Sequence, residues 1–152
     1  MRSSIELIYS LFIAILIGCF SCSNELSPKS QDTGLIGVWS LAGYENLIDG
    51  TIENSPDNVD EIWIEFSDSV FNGNTGRNNF FGPYKTQNDL LILEALDGTE
   101  INESSWGIRF FDSMREAYKS EFNDLQIIYS LNGDLLKMEY NSNQAFLFKR
   151  TK

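Results

Sequence analysis

Any chemistry this chain performs has to be done without histidine. None of its 152 residues is a histidine, and Cys19 and Cys22 are its two thiols. Ser-His-Asp and Cys-His nucleophilic sites, histidine general bases and histidine-rich zinc sites are therefore excluded. Carboxylates are plentiful, 22 against 11 Lys and Arg, which leaves a carboxylate-pair hydrolase open in principle. No spacing singles out a pair, however, and abundant acids ordinarily form a solvated face. Asp57, Asp60 and Glu61 form an acidic stretch that could attract a hard cation such as calcium. Their spacing matches no EF-hand loop, so the stretch reads as solvated loop. The expectation is a protein with no catalytic residue, no metal and no cofactor.

The two thiols sit where a different chemistry is expected. After Arg2, residues 7–20 run almost without polar interruption. Those fourteen residues are too few for a membrane-spanning helix, which needs about 20, and they read as the apolar core of an export signal. Leu16-Ile17-Gly18-Cys19 closes the run with an aliphatic residue three before a cysteine and a small one just before it. That order resembles the lipobox, in which the thiol receives diacylglycerol and becomes the first mature residue. Cys22 is the alternative acceptor, with a poorer approach in Cys19-Phe20-Ser21. The expected organisation is a lipoprotein signal peptide over residues 1–18, a lipidated tether over 19–33 and a folded domain over 34–152. Residues 23–33 are polar, contain Pro28 and show no hydrophobic period, as a flexible tether would. No Asp follows Cys19, so the enterobacterial inner-membrane retention signal is absent, which favours the outer membrane.

From Gly34 onward nine Lys and Arg stand against nineteen Asp and Glu, a net charge of about −10. Nucleic acid is excluded as a partner by this balance, because its phosphates need clustered cations. An anionic membrane would repel the domain, so attachment is expected through the lipid anchor. No cysteine follows Cys22, so the domain has no internal disulfide, and its length is sufficient for a single core without one.

Strands must position whatever site exists. Residues 38–44 follow a glycine and read as a first strand, and 46–58 as a loop. Ile62, Ile64 and Phe66 alternate with Trp63 and Glu65, the period of a strand with one buried face. Further strands are expected at 70–72 and, after the Asn88-Asp89 turn, at 90–95. Leu125, Ile127, Tyr129 and Leu131 share a face, Asn132-Gly133 signals a hairpin, and Leu136, Met138 and Tyr140 continue it. Asn141-Ser142-Asn143 turns into residues 145–148, completing a three-stranded meander. One segment has a different period. Ser104 and Ser105 offer an N-cap, and Trp106, Phe110, Met114 and Ala117, with Phe111 and Tyr118 alongside, recur at three and four residues. This predicts one amphipathic helix over residues 105–119, packed against a curved sheet.

Residues 72–84 are the most distinctive part of the chain. Gly73 and Gly76 permit a sharp turn, Asn78 and Asn79 can bond nearby backbone, Phe80 and Tyr84 are apolar anchors, and Gly82-Pro83 is expected to impose another bend. Each of these residues has a turn or packing reason to be present, so the segment reads as structural.

In this segment Gly76, Asn78, Phe80, Gly82 and Tyr84 stand in the order and spacing of the signature of the META domain (HslJ-like) family, which the chain resembles. Leu35, Gly37, Trp39 and Leu41 are similar to the family's opening Leu-x-Gly-x-Trp-x-Leu. Thr99, the helix and the final hairpin ending at Arg150 resemble its second half, so the likeness runs over about residues 34–150. It implies a mainly β fold with one helix: an antiparallel lipocalin-like barrel or half-barrel with an amphipathic helix packed against it. It also implies an envelope-associated protein without catalytic activity, discussed in connection with stress or antibiotic tolerance. Arg77 and Asn102 stand where many members carry a pair of cysteines, so no redox behaviour carries over.

The expected function is a membrane-anchored, extracytoplasmic interaction module that contacts another envelope protein or contributes to stress tolerance. The alternative is a lipocalin-like carrier holding a small apolar ligand between aromatics such as Trp39, Trp63 and Phe80.

Overall fold

Alternation along the strands closes into a barrel. The structure, a computed structural model, describes residues 34–99 and 101–151. The expected signal peptide and the whole of the expected tether, with Cys19 and Cys22, lie outside the described residues. Eleven strands follow in chain order: β1 (Gly37–Asn46), β2 (Ile52–Asn54), β3 (Trp63–Phe66), β4 (Val70–Asn74), β5 (Asn79–Gln87), β6 (Leu90–Leu93), β7 (Asp97–Gly98), β8 (Tyr118–Lys119), β9 (Asp124–Asn132), β10 (Leu135–Glu139) and β11 (Gln144–Arg150). The one helix among the described residues, α1 (Ser105–Glu116), lies between β7 and β8.

Eight of these strands, β1, β3, β4, β5, β6, β9, β10 and β11, pair antiparallel in that order, and β11 returns to β1. The protein is thus mainly β, a closed eight-stranded antiparallel barrel of up-and-down, lipocalin-like topology with one helix. The short strands are additions: β2 on β1, β7 on β5 and β8 on β9. At this strand number the interior is just wide enough for side chains to fill. Here Trp39, Phe66, Phe71, Phe80, Phe146 and Phe148 fill it, all essentially without solvent contact.

Closure depends on an irregularity in β1. Leu41 pairs with Phe148 but Gly43 with Leu147, so Ala42 is the extra residue of a β-bulge. Trp39 and Leu41 point inward at period two, and the bulge resets the phase so that Tyr44 points inward opposite Phe146. Gly43 is needed because β2 runs close by: a Cβ there would lie 2.2 Å from the Glu53 carbonyl oxygen.

The helix begins at Ser104, whose hydroxyl accepts the Gly107 N–H at 3.1 Å, and it buries Trp106, Phe110 and Met114. Phe110 packs at 5.2 Å, ring centre to ring centre, on both Phe80 and Phe146, so α1 covers the barrel end at which β1 finishes and β5 begins. Each fully buried ring of this kind contributes roughly 1.5–3 kcal/mol.

Four expectations are corrected. The helix stops at Glu116 and not near 119, because Tyr118 and Lys119 pair with Leu125 and Asp124 of β9 and leave Tyr118 exposed. The loop expected over 46–58 contains β2. The strand expected over 90–95 ends at Leu93. Gly82 and Pro83 do not bend the chain out of its strand: both lie within β5, at the point where the neighbouring chain passes from β6 to β7 and the missing proline N–H is least needed.

Candidate functional site

The turn between β4 and β5 is built by short polar side chains bonding their own backbone. The Thr75 N–H donates to the Asn78 carbonyl at 2.9 Å, and the Asn78 N–H donates to the Thr75 hydroxyl at 3.0 Å. Gly76 has φ +86°, and a Cβ there would strike the Asp60 side chain at 2.1 Å, so conformation and space both require glycine. Arg77 leaves the turn to reach Asp60 at 3.5 Å and the Asn102 carbonyl at 3.2 Å. The positions at which the resemblance implies cysteines are therefore joined by a guanidinium-to-carbonyl bond.

Asn78 is buried, and its amide ties the turn to the segment between β7 and α1. Its Nδ2 donates to the Ile101 carbonyl at 2.9 Å and to Glu103 Oε2 at 2.7 Å, while its Oδ1 accepts from the Ile101 N–H at 2.7 Å and the Thr99 hydroxyl at 3.1 Å. The amide thus uses both of its donors and both acceptor lone pairs. Glu103 accepts also from the Thr75 hydroxyl at 2.5 Å and from the Ser104 N–H at 2.8 Å. Burial by itself would raise the Glu103 pKa, but the bonds from Thr75, Asn78 and Ser104 outweigh it and hold the carboxyl below the ordinary glutamate value.

Phe80, Gly82 and Tyr84 all point into the barrel. Gly73 pairs with Phe80 and receives its phenyl ring, whereas at Gly82, paired with Phe71, a Cβ would lie 2.2 Å from the Ala95 carbonyl oxygen and 3.1 Å from the Phe71 ring. Tyr84 packs on Phe66 at 5.0 Å and donates its hydroxyl to the Ser67 carbonyl at 2.7 Å. Of the five signature residues, all are used in packing or in the turn, and none offers a reactive group to solvent.

The aromatics expected to line a carrier site are not brought together. Trp39 and Phe80 lie inside, whereas Trp63 lies on the outer face beside Val38, Glu65 and Thr151. Beside the signature an open cleft of about 590 Å³ lies between β7 and α1, lined by Phe80, Leu96, Ile101, Glu103, Ile108 and Phe111 among others. In the acidic stretch, Asp60 is paired with Arg77. Among the described residues no group of three or more His, Cys, Asp and Glu is arranged around a common metal position. No described helix is long and apolar enough to cross a membrane.

One arrangement had no signal in the sequence. Arg109 lies on the face of Tyr44 at 3.9 Å and pairs with Glu53 at 2.6 Å, joining α1 to β2. The Arg109 hydrogen bond is the main cause holding the Glu53 carboxyl below its ordinary value. Beneath it the Tyr44 hydroxyl and Trp106 Nε1 are buried without hydrogen-bond partners, with the two rings edge to face at 5.1 Å.

No family model matches the chain, and no curated protein matches it in sequence. Solved structures similar to it include a protein from Burkholderia xenovorans determined by NMR, at TM-score 0.59 and 18% identity over 86% of this chain and 95% of that one. Another is an uncharacterized protein from Bacteroides eggerthii, at TM-score 0.49 and 14% identity over 77% of this chain and 99% of that one. The likeness to the Burkholderia protein extends to the fold.

Proposed function

We propose that the chain is a lipid-anchored protein of the cell envelope, facing away from the cytoplasm, whose barrel is a non-catalytic interaction module of the META type, with envelope stress tolerance as its setting. The observation that carries this reading is the filled interior: Trp39, Phe66, Phe71, Phe80, Phe110, Phe146 and Phe148 occupy the space a lipocalin would give to its ligand. Work by such a barrel falls to its outer surface. The signature residues support the same reading, since their polar atoms are spent on one another. A lipobox-like Cys19, a polar tether and a domain of net charge about −10 suit a module held off a membrane by acyl chains.

The anchor is tested by intact mass and detergent-phase partition of the full chain and its cysteine variants. Wild type carries diacylglycerol on Cys19, Cys19→Ala remains unprocessed or soluble, and Cys22→Ala behaves as wild type. Absence of lipid mass from wild type would overturn the anchor. The module is tested by photo-crosslinking amino acids placed at exposed Ile48 and Ile108 in growing cells. A discrete protein adduct is expected, and adducts to small apolar molecules alone would favour the carrier.

A further inference from the structure

The outer surface of the barrel carries, on the side away from the signature, a groove in which an apolar strip is bordered by polar side chains such as Asn54, Ser130 and Asn132. It has a volume of about 480 Å³ and crosses the outer faces of β9, β10, β11, β1 and β2. Ala42, the bulged residue of β1, and Leu147 of β11 form the floor. Ile52 of β2 and Leu135 of β10 form the walls and are each about half exposed, at 54% and 48%. Leu135 pairs with Lys149 and Leu147 with Lys137, so both lysines border the apolar strip. Lys137 is neutralised by Glu45 at 3.4 Å, whereas Lys149 is exposed and makes no ion pair among the described residues.

The backbone beneath the groove narrows the choice of guest. β9, β10, β11 and β1 each have a hydrogen-bonded neighbour on both sides, and only the three residues of β2, at one wall, pair on one side alone, so the floor has no free row of N–H and C=O groups with which to satisfy a peptide main chain. An alkyl chain needs no such partners. Crossing five strands at spacings of about 4.8 Å, the groove is roughly 19 Å long. The unpaired Lys149 ammonium at its margin can bind an anionic head through a charge-assisted hydrogen bond. An anionic bilayer, by contrast, would meet the repulsion of the whole acidic domain.

We propose that this groove binds one monomeric amphiphilic anion, a single alkyl chain ending in a carboxylate, with the chain over Ala42 and Leu147 between Ile52 and Leu135 and the head at Lys149. The site lies outside the barrel and does not depend on the anchor or the module reading. The test uses the full chain in its own membranes and a dodecanoate analogue with a photoreactive diazirine on its chain. Expected adducts map to residues around Ile52, Leu135 and Leu147 and are competed by unlabelled dodecanoate. Lys149→Glu should weaken labelling about tenfold, as expected when a surface ion contact is replaced by repulsion, and Lys149→Arg should restore it. Ala42→Trp, which fills the floor, should abolish labelling while far-ultraviolet circular dichroism stays that of wild type. If that variant fails to fold, Leu147→Glu on the same floor replaces it, with the same expected loss. Adducts at interior residues such as Trp39, labelling equal in wild type and Lys149→Glu, or capture only of anionic lipid in vesicles would each overturn the proposal.

Discussion

Phe80 and Gly73 face each other across β4 and β5, and the phenyl ring occupies the place of the side chain Gly73 lacks. A Cβ on Gly73 would lie 2.1 Å from the ring's Cζ. The ring cannot swing aside, since Phe71, Phe110 and Phe111 surround it. Gly73→Ala should therefore destabilise the protein by about 1–3 kcal/mol, the usual cost of overpacking a filled core. Shortening Phe80 to Leu should recover part of that loss, which urea unfolding of the single and double variants measures.

Asn78→Ala removes four hydrogen bonds and leaves the Ile101 backbone and Glu103 underbonded. Stability should fall by about 3 kcal/mol. Asn78→Asp keeps the shape but sets a carboxylate against Glu103 Oε2, now 2.7 Å from Nδ2. At neutral pH it should be at least as damaging as Asn78→Ala, and part of the loss should return as the solution is acidified.

The pH dependence of the wild type has a definite sign at the same place. Glu103 has a lowered pKa in the folded protein, because its hydrogen bonds outweigh the burial that opposes ionisation. Its stabilisation is fully present above the ordinary glutamate value of about 4.3 and is lost as pH falls through the lower folded value. Melting temperature followed from neutral to acid pH should fall less steeply in Glu103→Gln, which starts lower. Parallel profiles would show that Glu103 is not the group concerned.

Two tyrosines should respond oppositely to loss of the hydroxyl. Tyr84 donates to the Ser67 carbonyl, so Tyr84→Phe should cost about 1 kcal/mol. The buried Tyr44 hydroxyl has no partner, so Tyr44→Phe should be neutral or stabilising. Burial, opposed by Arg109, also pushes the Tyr44 pKa well above the ordinary value of about 10. Its contribution is present below that value and lost as pH rises past it, so its phenolate absorbance should appear only with alkaline unfolding.

The barrel was largely legible because one face of each strand is buried. Ile64 and Phe66, Leu125 to Tyr129, and Leu136 with Met138 announce their inward faces by alternation alone. What escaped was non-local. Ala42 bulges because β2 and β11 constrain β1 from both sides, and no local pattern reports that. Residues 118–119 continue a helical stripe but are claimed by β9. Glycine and asparagine at residues 76–78 signal a turn, yet nothing near Asn78 in sequence announces bonds to Thr99, Ile101 and Glu103, more than twenty residues away. The outer groove is equally invisible, since Ile52 and Leu147 become neighbours only when the first and last strands meet.

That meeting has a consequence for the order in which the molecule can be made. β1 opens the barrel and β11 closes it, so Trp39 and Arg150 are register partners although more than a hundred residues separate them. Contacts of such sequence separation form late, because the entropy of closing the loop must be overcome before they stabilise anything. A chain emerging from its amino end can hold hairpins such as β3–β4 and β5–β6 transiently, and β1 can pair with β3, but its other neighbour is missing until residues 144–150 appear. Until then the aromatic interior stays open, and the molecule gains its full core only with its final strand.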